Sequence, residues 1–268
     1  MDKRAIGVFD SGIGGLSCVK EIMRIMPNED VIYFGDTGRV PYGSRSQETL
    51  MKYVRQDIRF LKSFDIKMII IACGTASSAV LPWIGDELDL PILGVVTPAA
   101  QAAVKATKNK KIGVLGTVAT VKYGKYVDEI KAVCPEAEVF QKACPMFVPL
   151  VENGYTKSEV TEIIAKEYLK EMKKSGVDTV ILGCTHYPLL KDVIGKIMGE
   201  GVTLIDSGAA AANSAYRLLK EKDIERDEKG GNYKYFVSDA AGEFSKLGGV
   251  FLEKPIMEDV DKIDIERY

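Results

Sequence analysis

MIIIACGT at residues 68–75 and TVILGCTH at residues 179–186 share one pattern, a run of apolar residues that ends in a cysteine, with a small or hydroxyl-bearing residue after it. Each run predicts a buried parallel strand. Ligands of open α/β sheets bind beyond the carboxyl ends of strands, so Cys73 and Cys184 are expected at a functional site. Two such thiols, one from each half of the chain, suggest a pair of acid/base groups on either side of a substrate carbon.

Short β-branched runs alternate with amphipathic stretches along most of the chain, which indicates βα units and parallel sheets. The predicted strands are residues 6–9, 31–34, 68–72 and 92–95, then 112–115, 137–140, 179–182 and 203–205. The predicted helices are residues 14–26, 47–63, 76–88, 118–133, 157–174, 188–198 and 207–220. We therefore predict an α/β fold of two similar lobes, each a mainly parallel sheet flanked by helices. A pseudo-twofold axis relates the lobes, and the site lies in the cleft between them.

The end of the chain does not continue this repeat. Residues 233–237 predict one more strand and residues 240–252 one more helix, and we expect this tail to return to the first lobe. The predicted domains are residues 1–97 with 207–268, and residues 98–206. Closure of the lobes is expected to use hinges near Thr97-Pro98 and Asp206-Ser207.

Bulk composition excludes several classes of protein. The 268 residues carry a formal net charge of −2, which gives no electrostatic footprint for nucleic acid. No apolar run approaches a membrane span, and the first residues lack the long apolar stretch of a signal peptide. The five cysteines are odd in number and include no C-x-x-C pair, which argues against a disulfide framework or a structural zinc site. We expect a soluble cytoplasmic protein.

The glycine-rich turn DSGIGG at residues 10–15 follows the first strand. It is explained either by helix capping or by an anion site, and it lacks the complete dinucleotide fingerprint. A thiol at the start of a helix has its thiolate favoured, so we expect lowered pKa values at Cys73 and Cys184. His186, the only histidine in the chain, is a candidate proton relay beside the second thiol. Nothing in the sequence pattern singles out Glu152.

Five motifs in register carry a resemblance to a known family. They are DSG at 10–12, PYGS at 41–44, ACGTA at 72–76, GTVAT at 116–120 and GCTHYP at 183–188. Together they make the chain similar to the glutamate racemases of the aspartate/glutamate racemase superfamily. Aspartate-specific members typically place an acid after the second Cys-Thr, where this chain has His186.

The resemblance implies racemisation of glutamate by two bases, without a cofactor or a metal. Cys73 and Cys184 would exchange protons with the α-carbon, assisted by Asp10 on one side and by His186 with Glu152 on the other. The implied substrate-binding residues are Asp10, Ser11, Tyr42, Gly43, Gly74, Thr75, Thr185 and His186, with Thr117 and Thr120 as further candidates. The family usually has Asn where this chain has Gly74, so we expect Gly74→Asn to lower the KM.

The same resemblance implies a homodimer with a small-molecule substrate, glutamate, whose D-enantiomer supplies peptidoglycan synthesis. From the net charge and the lack of a long apolar run we expect no nucleic-acid or membrane partner. Three alternatives stay open on the residues alone. One is a racemase of aspartate or a related amino acid, and the second is a non-catalytic, two-lobed amino-acid-binding protein. The third is a metal site built from Cys73, Cys184, His186 and Asp10.

Overall fold

Two parallel sheets form the frame of the computed structural model, which describes residues 2–85 and 88–268. In chain order the strands are β1 (Ala5–Asp10), β2 (Val31–Gly35), β3 (Ile66–Ile71), β4 (Ile92–Gly94), β5 (Lys111–Gly116), β6 (Glu138–Ala143), β7 (Thr179–Leu182), β8 (Thr203–Asp206), β9 (Tyr233–Val237) and β10 (Val260–Lys262). The helices are α1 (Leu16–Ile25), α2 (Gln47–Leu61), α3 (Gly74–Ala79), α4 (Leu81–Ile84), α5 (Val96–Ala106), α6 (Val118–Tyr123), α7 (Lys125–Val133), α8 (Phe147–Glu152), α9 (Glu159–Lys174), α10 (Lys191–Met198), α11 (Ser207–Glu221) and α12 (Ala241–Leu252).

The order of strands repeats between the sheets. The larger sheet runs β10-β9-β2-β1-β3-β4 and the smaller one β6-β5-β7-β8, and neighbouring strands pair in parallel throughout. The order β2-β1-β3-β4 therefore recurs as β6-β5-β7-β8. This confirms the predicted fold class of two mainly parallel sheets flanked by helices. It also agrees with the internal repeat expected from the two cysteine strands.

Burial on both faces explains why the central strands are so apolar. Every residue of β1, β2 and β3 is buried, as are all four residues of β7. Helices cover both faces of such sheets, so their strands lack a polar side. Side-chain caps begin three of the covering helices: Ser46, Ser158 and Asp206 each accept a hydrogen bond from the backbone N–H three residues further on.

The structure breaks two helices that the sequence pattern predicts as continuous. The predicted helix 76–88 is divided into α3 and α4 at Val80, just before Pro82, whose ring disfavours a continuous helix. Residues 86 and 87 of that prediction lie outside the described residues. The predicted helix 118–133 divides at Gly124, which has a φ of +66° and so ends α6 in the left-handed region.

Three elements were not predicted, namely α5, α8 and β10. The predicted hinge at Thr97-Pro98 falls inside α5, and the one at Asp206-Ser207 lies where β8 meets α11. α11 packs against α1 and also against α5, so it contacts helices from both halves. The boundaries of the two lobes stay a prediction. Within the described residues, no helix combines the length and the apolar character needed to cross a bilayer.

Lys67, which directly precedes the apolar run of β3, forms a buried ion pair. The Lys67 ammonium is 2.6 Å from a carboxylate oxygen of Glu29, and both side chains are buried. Lys67 also donates hydrogen bonds to the backbone oxygens of Ile224 and Asp2, while Glu29 accepts one from the backbone N–H of Arg226. The pair thus joins β3 to the first residues of the chain and to the loop after α11.

Lys67→Met is expected to lower the free energy of unfolding by about 3–5 kcal/mol, because Glu29 is left as a buried charge without its partner. Urea denaturation measures this loss. The control is Lys62→Met, whose pair with Asp89 is exposed, so the expected cost is about 0–1 kcal/mol. Equal losses in the two variants would contradict the role given to the buried pair. Adding Glu29→Gln to Lys67→Met should recover part of the loss.

Candidate active site

The carboxyl ends of the two sheets border one cavity of about 360 Å³. Its position beyond β1, β3, β5 and β7 is where α/β sheets bind ligands. The predicted site residues that line it are Ser11, Tyr42, Gly43, Cys73, Gly74, Thr75, Glu152, Cys184, Thr185 and His186, together with Thr117. Asp10 is fully buried and is not among the residues that line the cavity, and Thr120 reaches it only through its contact with Thr117.

Asp10 is held in place by the turn that follows it. Its Oδ2 accepts hydrogen bonds of 3.1 Å from the backbone N–H groups of Gly12 and Gly15, while Oδ1 has no hydrogen-bond partner among the described residues. Burial raises the pKa of Asp10, although the imidazole of His186 and these backbone donors oppose the change. A carboxyl group with an unpartnered oxygen and a raised pKa is suited to accept and return a proton.

Cys73 differs from the expectation of a lowered thiol pKa. Burial, followed by the nearby charge of Asp10, raises the pKa of Cys73 to about 12. Hydrogen bonds from the backbone of Ala76 and from Ser11 oppose this, but they do not overcome the loss of solvent. The prediction was therefore wrong for Cys73: the first turn of α3, a helix of six residues, contributes less than desolvation does.

Cys184 has a different partner. Its Sγ lies 3.9 Å from Nδ1 of His186, and Nε2 of the same ring is 3.0 Å from Oε1 of Glu152. Burial lowers the pKa of His186, but the contacts with Cys184 and Glu152 outweigh it and raise the pKa to about 10. The imidazole is therefore charged at neutral pH and bridges the thiol and the carboxylate. Glu152 ends α8, the helix that sequence periodicity did not reveal.

A chain of hydroxyl groups crosses between the two sheets. Oγ1 of Thr75, after β3, is 3.0 Å from Oγ1 of Thr117, after β5, and Thr117 is 3.0 Å from Thr120. Thr117 also caps α6 through the backbone N–H of Thr120. Hydroxyls of this kind donate to carboxylates, so the chain is suited to a substrate anion.

Tyr42 lines the cavity but points its hydroxyl away from it. Its Oη is 2.5 Å from Oδ2 of Asp36 and 3.0 Å from Oδ2 of Asp57, and the Arg39 guanidinium contacts both carboxyl groups. Burial, together with the charge of Asp36, raises the pKa of Asp57. The sequence reasoning missed this network. Asp36 directly follows β2, as Asp10 ends β1, and that shared position is the signal that could have revealed it.

Gly74 lies in close contact with the other half of the chain. A Cβ at this position would lie 2.3 Å from the backbone oxygen of Gly183, a distance that real Cβ atoms do not reach. The start of α3 therefore touches the end of β7 directly, across the two halves of the chain. This contact argues against the expectation that Gly74→Asn lowers the KM, because any side chain here must first move a backbone segment, and the effect on the KM stays a prediction.

Cys144 also lines the cavity and was not predicted to do so. It is buried, and burial raises the pKa of its thiol to about 12. Within the part of the chain that the structure describes, no group of three or more His, Cys, Asp or Glu side chains is arranged to hold a metal ion.

Comparison with known proteins gives one consistent result. Residues 6–215 match the family described as Asp/Glu/Hydantoin racemase. A glutamate racemase from Geobacter metallireducens is 46% identical over 253 residues, which are 94% of this chain and 94% of that protein. The crystal structure of a glutamate racemase isoform from Bacillus anthracis has a TM-score of 0.95 at 37% identity and covers 98% of both chains. A glutamate racemase from Francisella tularensis, solved in complex with D-glutamate, has a TM-score of 0.93 at 37% identity over all of both chains.

The charged state of His186 predicts a pH dependence of stability. Because its folded pKa of about 10 lies above the unfolded value of about 6.5, its contribution is complete below pH 6.5 and is lost as pH rises through 10. The difference in unfolding free energy between wild type and His186→Gln should therefore shrink across that interval. The chain has one histidine, so its imidazole NMR signal gives the folded pKa directly. Glu152→Gln should lower this pKa, and a wild-type value near 6.5 would contradict the assignment.

Proposed function

The chain belongs to the Asp/Glu/hydantoin racemase family, and we propose that it interconverts L- and D-glutamate by two-base proton transfer. One observation carries the proposal. Two thiols, Cys73 and Cys184, follow equivalent strands of the two sheets and line the same cavity. Each thiol has its own ionisable neighbour, the Asp10 carboxyl on one side and the His186 imidazole on the other.

The proton balance of the reaction follows from this pairing. The thiolate of one cysteine takes the α-proton from one face of glutamate, and the thiol of the other returns a proton to the opposite face. The enzyme then holds the proton on the first cysteine and the charge on the second, which is the form needed for the reverse reaction. Cys73 and Cys184 therefore exchange roles between the two enantiomers, and no cofactor or metal takes part.

The charge of the substrate helps to form the thiolate. A pKa of about 12 at the buried Cys73 favours the neutral thiol. The α-ammonium group of bound glutamate would oppose this, because an opposite charge within about 4–6 Å favours the charged form of a thiol. Asp10 accepts the thiol proton on this side through its unpartnered Oδ1. On the other side the charged imidazole of His186, held by Glu152, faces the sulfur of Cys184 through Nδ1 and pairs with the thiolate that Cys184 forms during the reaction.

We propose that hydroxyls and backbone N–H groups hold the two carboxylates of glutamate. Ser11, Thr75, Thr117 and Thr185 all line the cavity with hydroxyl groups. Glutamate is chosen over aspartate because the relatives that match along nearly the whole chain are named glutamate racemases, and one was solved with D-glutamate. General acid/base groups give about 10²–10⁴-fold, so exclusion of water and orientation must supply the rest.

The wider assignments are also proposals. The family membership supports a role in supplying D-glutamate for peptidoglycan synthesis in the cytoplasm, and a homodimeric assembly. Residues 1–97 with 207–268, and residues 98–206, are proposed to close as two lobes around the substrate. The packing of α11 against α1 supports placing the last part of the chain with the first lobe.

Incubation of the dialysed protein with L-glutamate in D₂O, without added cofactor, tests the proposal. Optical activity and α-deuterium are followed together. Loss of optical activity, with deuterium in the D-enantiomer from the first turnovers, is the expected result. Turnover of aspartate alone would change the substrate and keep the mechanism. No turnover of either amino acid, with tight binding of glutamate, would instead support the amino-acid-binding protein.

The two-base mechanism predicts the behaviour of Cys73→Ser and Cys184→Ser. Each should lower racemisation by at least about 10²–10⁴-fold, because a serine hydroxyl is a far weaker acid than a thiol. Each should still remove the α-proton from one enantiomer, seen as elimination of chloride from one enantiomer of 3-chloroglutamate. Cys134→Ser, at a buried cysteine that does not line the cavity, is the control. Near-normal racemisation by either catalytic variant would exclude the mechanism.

The contact of Gly74 with Gly183 predicts the effect of restoring the usual family residue. Gly74→Asn should raise the KM for glutamate by at least about tenfold, because the backbone of Gly183 must move and the hydroxyls facing the substrate move with it. Steady-state kinetics measure this change. Gly201→Asn, where a Cβ meets nothing within 4 Å, is the matched control. A lower KM for Gly74→Asn would mean that the backbone yields and that the amide binds substrate.

A further inference from the structure

Two adjacent glycines of the turn after β1 each touch one of the two proton-relay groups. A Cβ built on Gly14 would lie 2.5 Å from Nδ1 of His186 and 2.3 Å from Oγ1 of Thr185. A Cβ built on Gly15 would lie 2.5 Å from Cβ of Asp10 and 2.8 Å from Oη of Tyr33. Neither glycine has a positive φ, so backbone conformation does not require glycine there.

We propose that Gly14 and Gly15 are positioning residues with separate roles. Because Gly14 has no side chain, the His186 ring can lie against Cys184. Because Gly15 has none, the Asp10 carboxyl can lie beside Cys73. The assignment rests on the proposed two-base function and deepens it. One turn of the chain then holds a positioning residue for each of the two thiols. It also explains a glycine-rich turn that lacks a dinucleotide fingerprint.

The contacts of His186 show why Gly14 matters. Glu152 holds Nε2 of the ring, and Phe251 packs edge-on with ring centroids 5.4 Å apart. The remaining ring nitrogen, Nδ1, faces both Cys184 and Gly14. A methyl group at position 14 would compete for the space of Nδ1, the atom through which the ring reaches the thiol. The ring would have to leave Cys184, Glu152 or both.

Gly14 is also a contact between the two halves of the chain. It follows β1 of the larger sheet, whereas Thr185 and His186 follow β7 of the smaller sheet. Gly14 of the first half therefore helps to position His186, the partner of Cys184 in the second half. Only a residue without a side chain allows the turn to approach this closely.

The contacts of Gly15 lie within the first half. Its backbone N–H donates to Oδ2 of Asp10, and its Cα faces the hydroxyl of Tyr33, which itself donates to the backbone oxygen of Gly12. A methyl group at position 15 would clash with both the Asp10 side chain and the Tyr33 ring, so it could not avoid one by moving toward the other. The carboxyl would shift relative to Cys73, and His186 would not be touched.

Net racemisation cannot separate these two effects. The enantiomers have equal free energy in water, so kcat/KM must change equally in both directions. Elimination from 3-chloroglutamate avoids this limit, because one thiolate removes the α-proton, chloride leaves, and water hydrolyses the resulting enamine to 2-oxoglutarate and ammonium. Cys73→Ser and Cys184→Ser establish which enantiomer each thiol deprotonates.

The test compares Gly14→Ala and Gly15→Ala in that assay. Gly14→Ala should lower kcat/KM at least about tenfold more for the enantiomer that Cys184 deprotonates than for the other, because a shift of Thr185 affects the binding of both enantiomers and a shift of His186 affects one thiol. Gly15→Ala should show the reverse pattern. The NMR signal of the lone histidine should shift in Gly14→Ala and shift less in Gly15→Ala, where only the charge of Asp10 acts on the ring. Gly195→Ala on α10, where a Cβ makes an ordinary 3.7 Å contact, is the control with full activity.

Each other outcome decides against the assignment. Equal losses for both enantiomers in Gly14→Ala would mean that the turn only spaces the lobes, and no loss in either variant would mean that the contacts do not matter. If one variant fails to fold by circular dichroism, the other still tests its own side; if both fail, the role is structural. A wild type that turns over neither glutamate nor 3-chloroglutamate would end the proposed function, and the histidine signal would still test the contact at Gly14.

Discussion

The close approach of two backbone segments is the constraint on which the site depends. The start of α3 and the end of β7 meet at Gly74 and Gly183, with no room for a side chain between them. This contact brings the carboxyl ends of two separate sheets to one cavity and so places the two thiols in a common space. Parallel sheets normally bind ligands at this edge alone, so facing edges from two sheets enclose a substrate from both sides.

Burial of the site residues dictates the electrostatics. Burial raises the pKa of both Asp10 and Cys73, and it opposes the charge on His186. A charged group in such a cavity needs a partner, because desolvation disfavours the ionised form. The partners differ between the two sides even though the strand order repeats. The strand position equivalent to Asp10 in the second half is Gly116, so the second thiol takes its relay from its own loop, at His186. The frame is therefore symmetric and the proton relays are not.

The sequence was sufficient for the features that depend on local pattern. The strands that carry Cys73 and Cys184, the fold class and the family were predicted and are confirmed by the structure and by the comparisons. Features that depend on distant contacts were not predictable. β10 is three residues long, pairs only with β9 and includes two exposed charged side chains, so no apolar pattern marks it. The raised pKa of Cys73 depends on burial and on Asp10, which is distant in the sequence, and the clash at Gly74 depends on the backbone of the other half of the chain.

A network of buried charges lies behind Tyr42 and includes Asp36, Arg39 and Asp57. Asp36 accepts hydrogen bonds from Arg39, Tyr42 and Ser238, and thereby ties the segment that lines the cavity to the strand after α11. Arg39 in turn contacts Glu266, near the end of the chain. Removing one member would leave a buried charge without its partner, so the network resists local movement. One wall of the cavity is thus fixed by residues that are distant in the sequence, while Glu152 and His186 on the opposite wall are fixed by each other. A site that must keep two thiols on opposite faces of one carbon needs both walls of the cavity in fixed positions. In this chain the buried charge network fixes one wall, and the contact between His186 and Glu152 fixes the other.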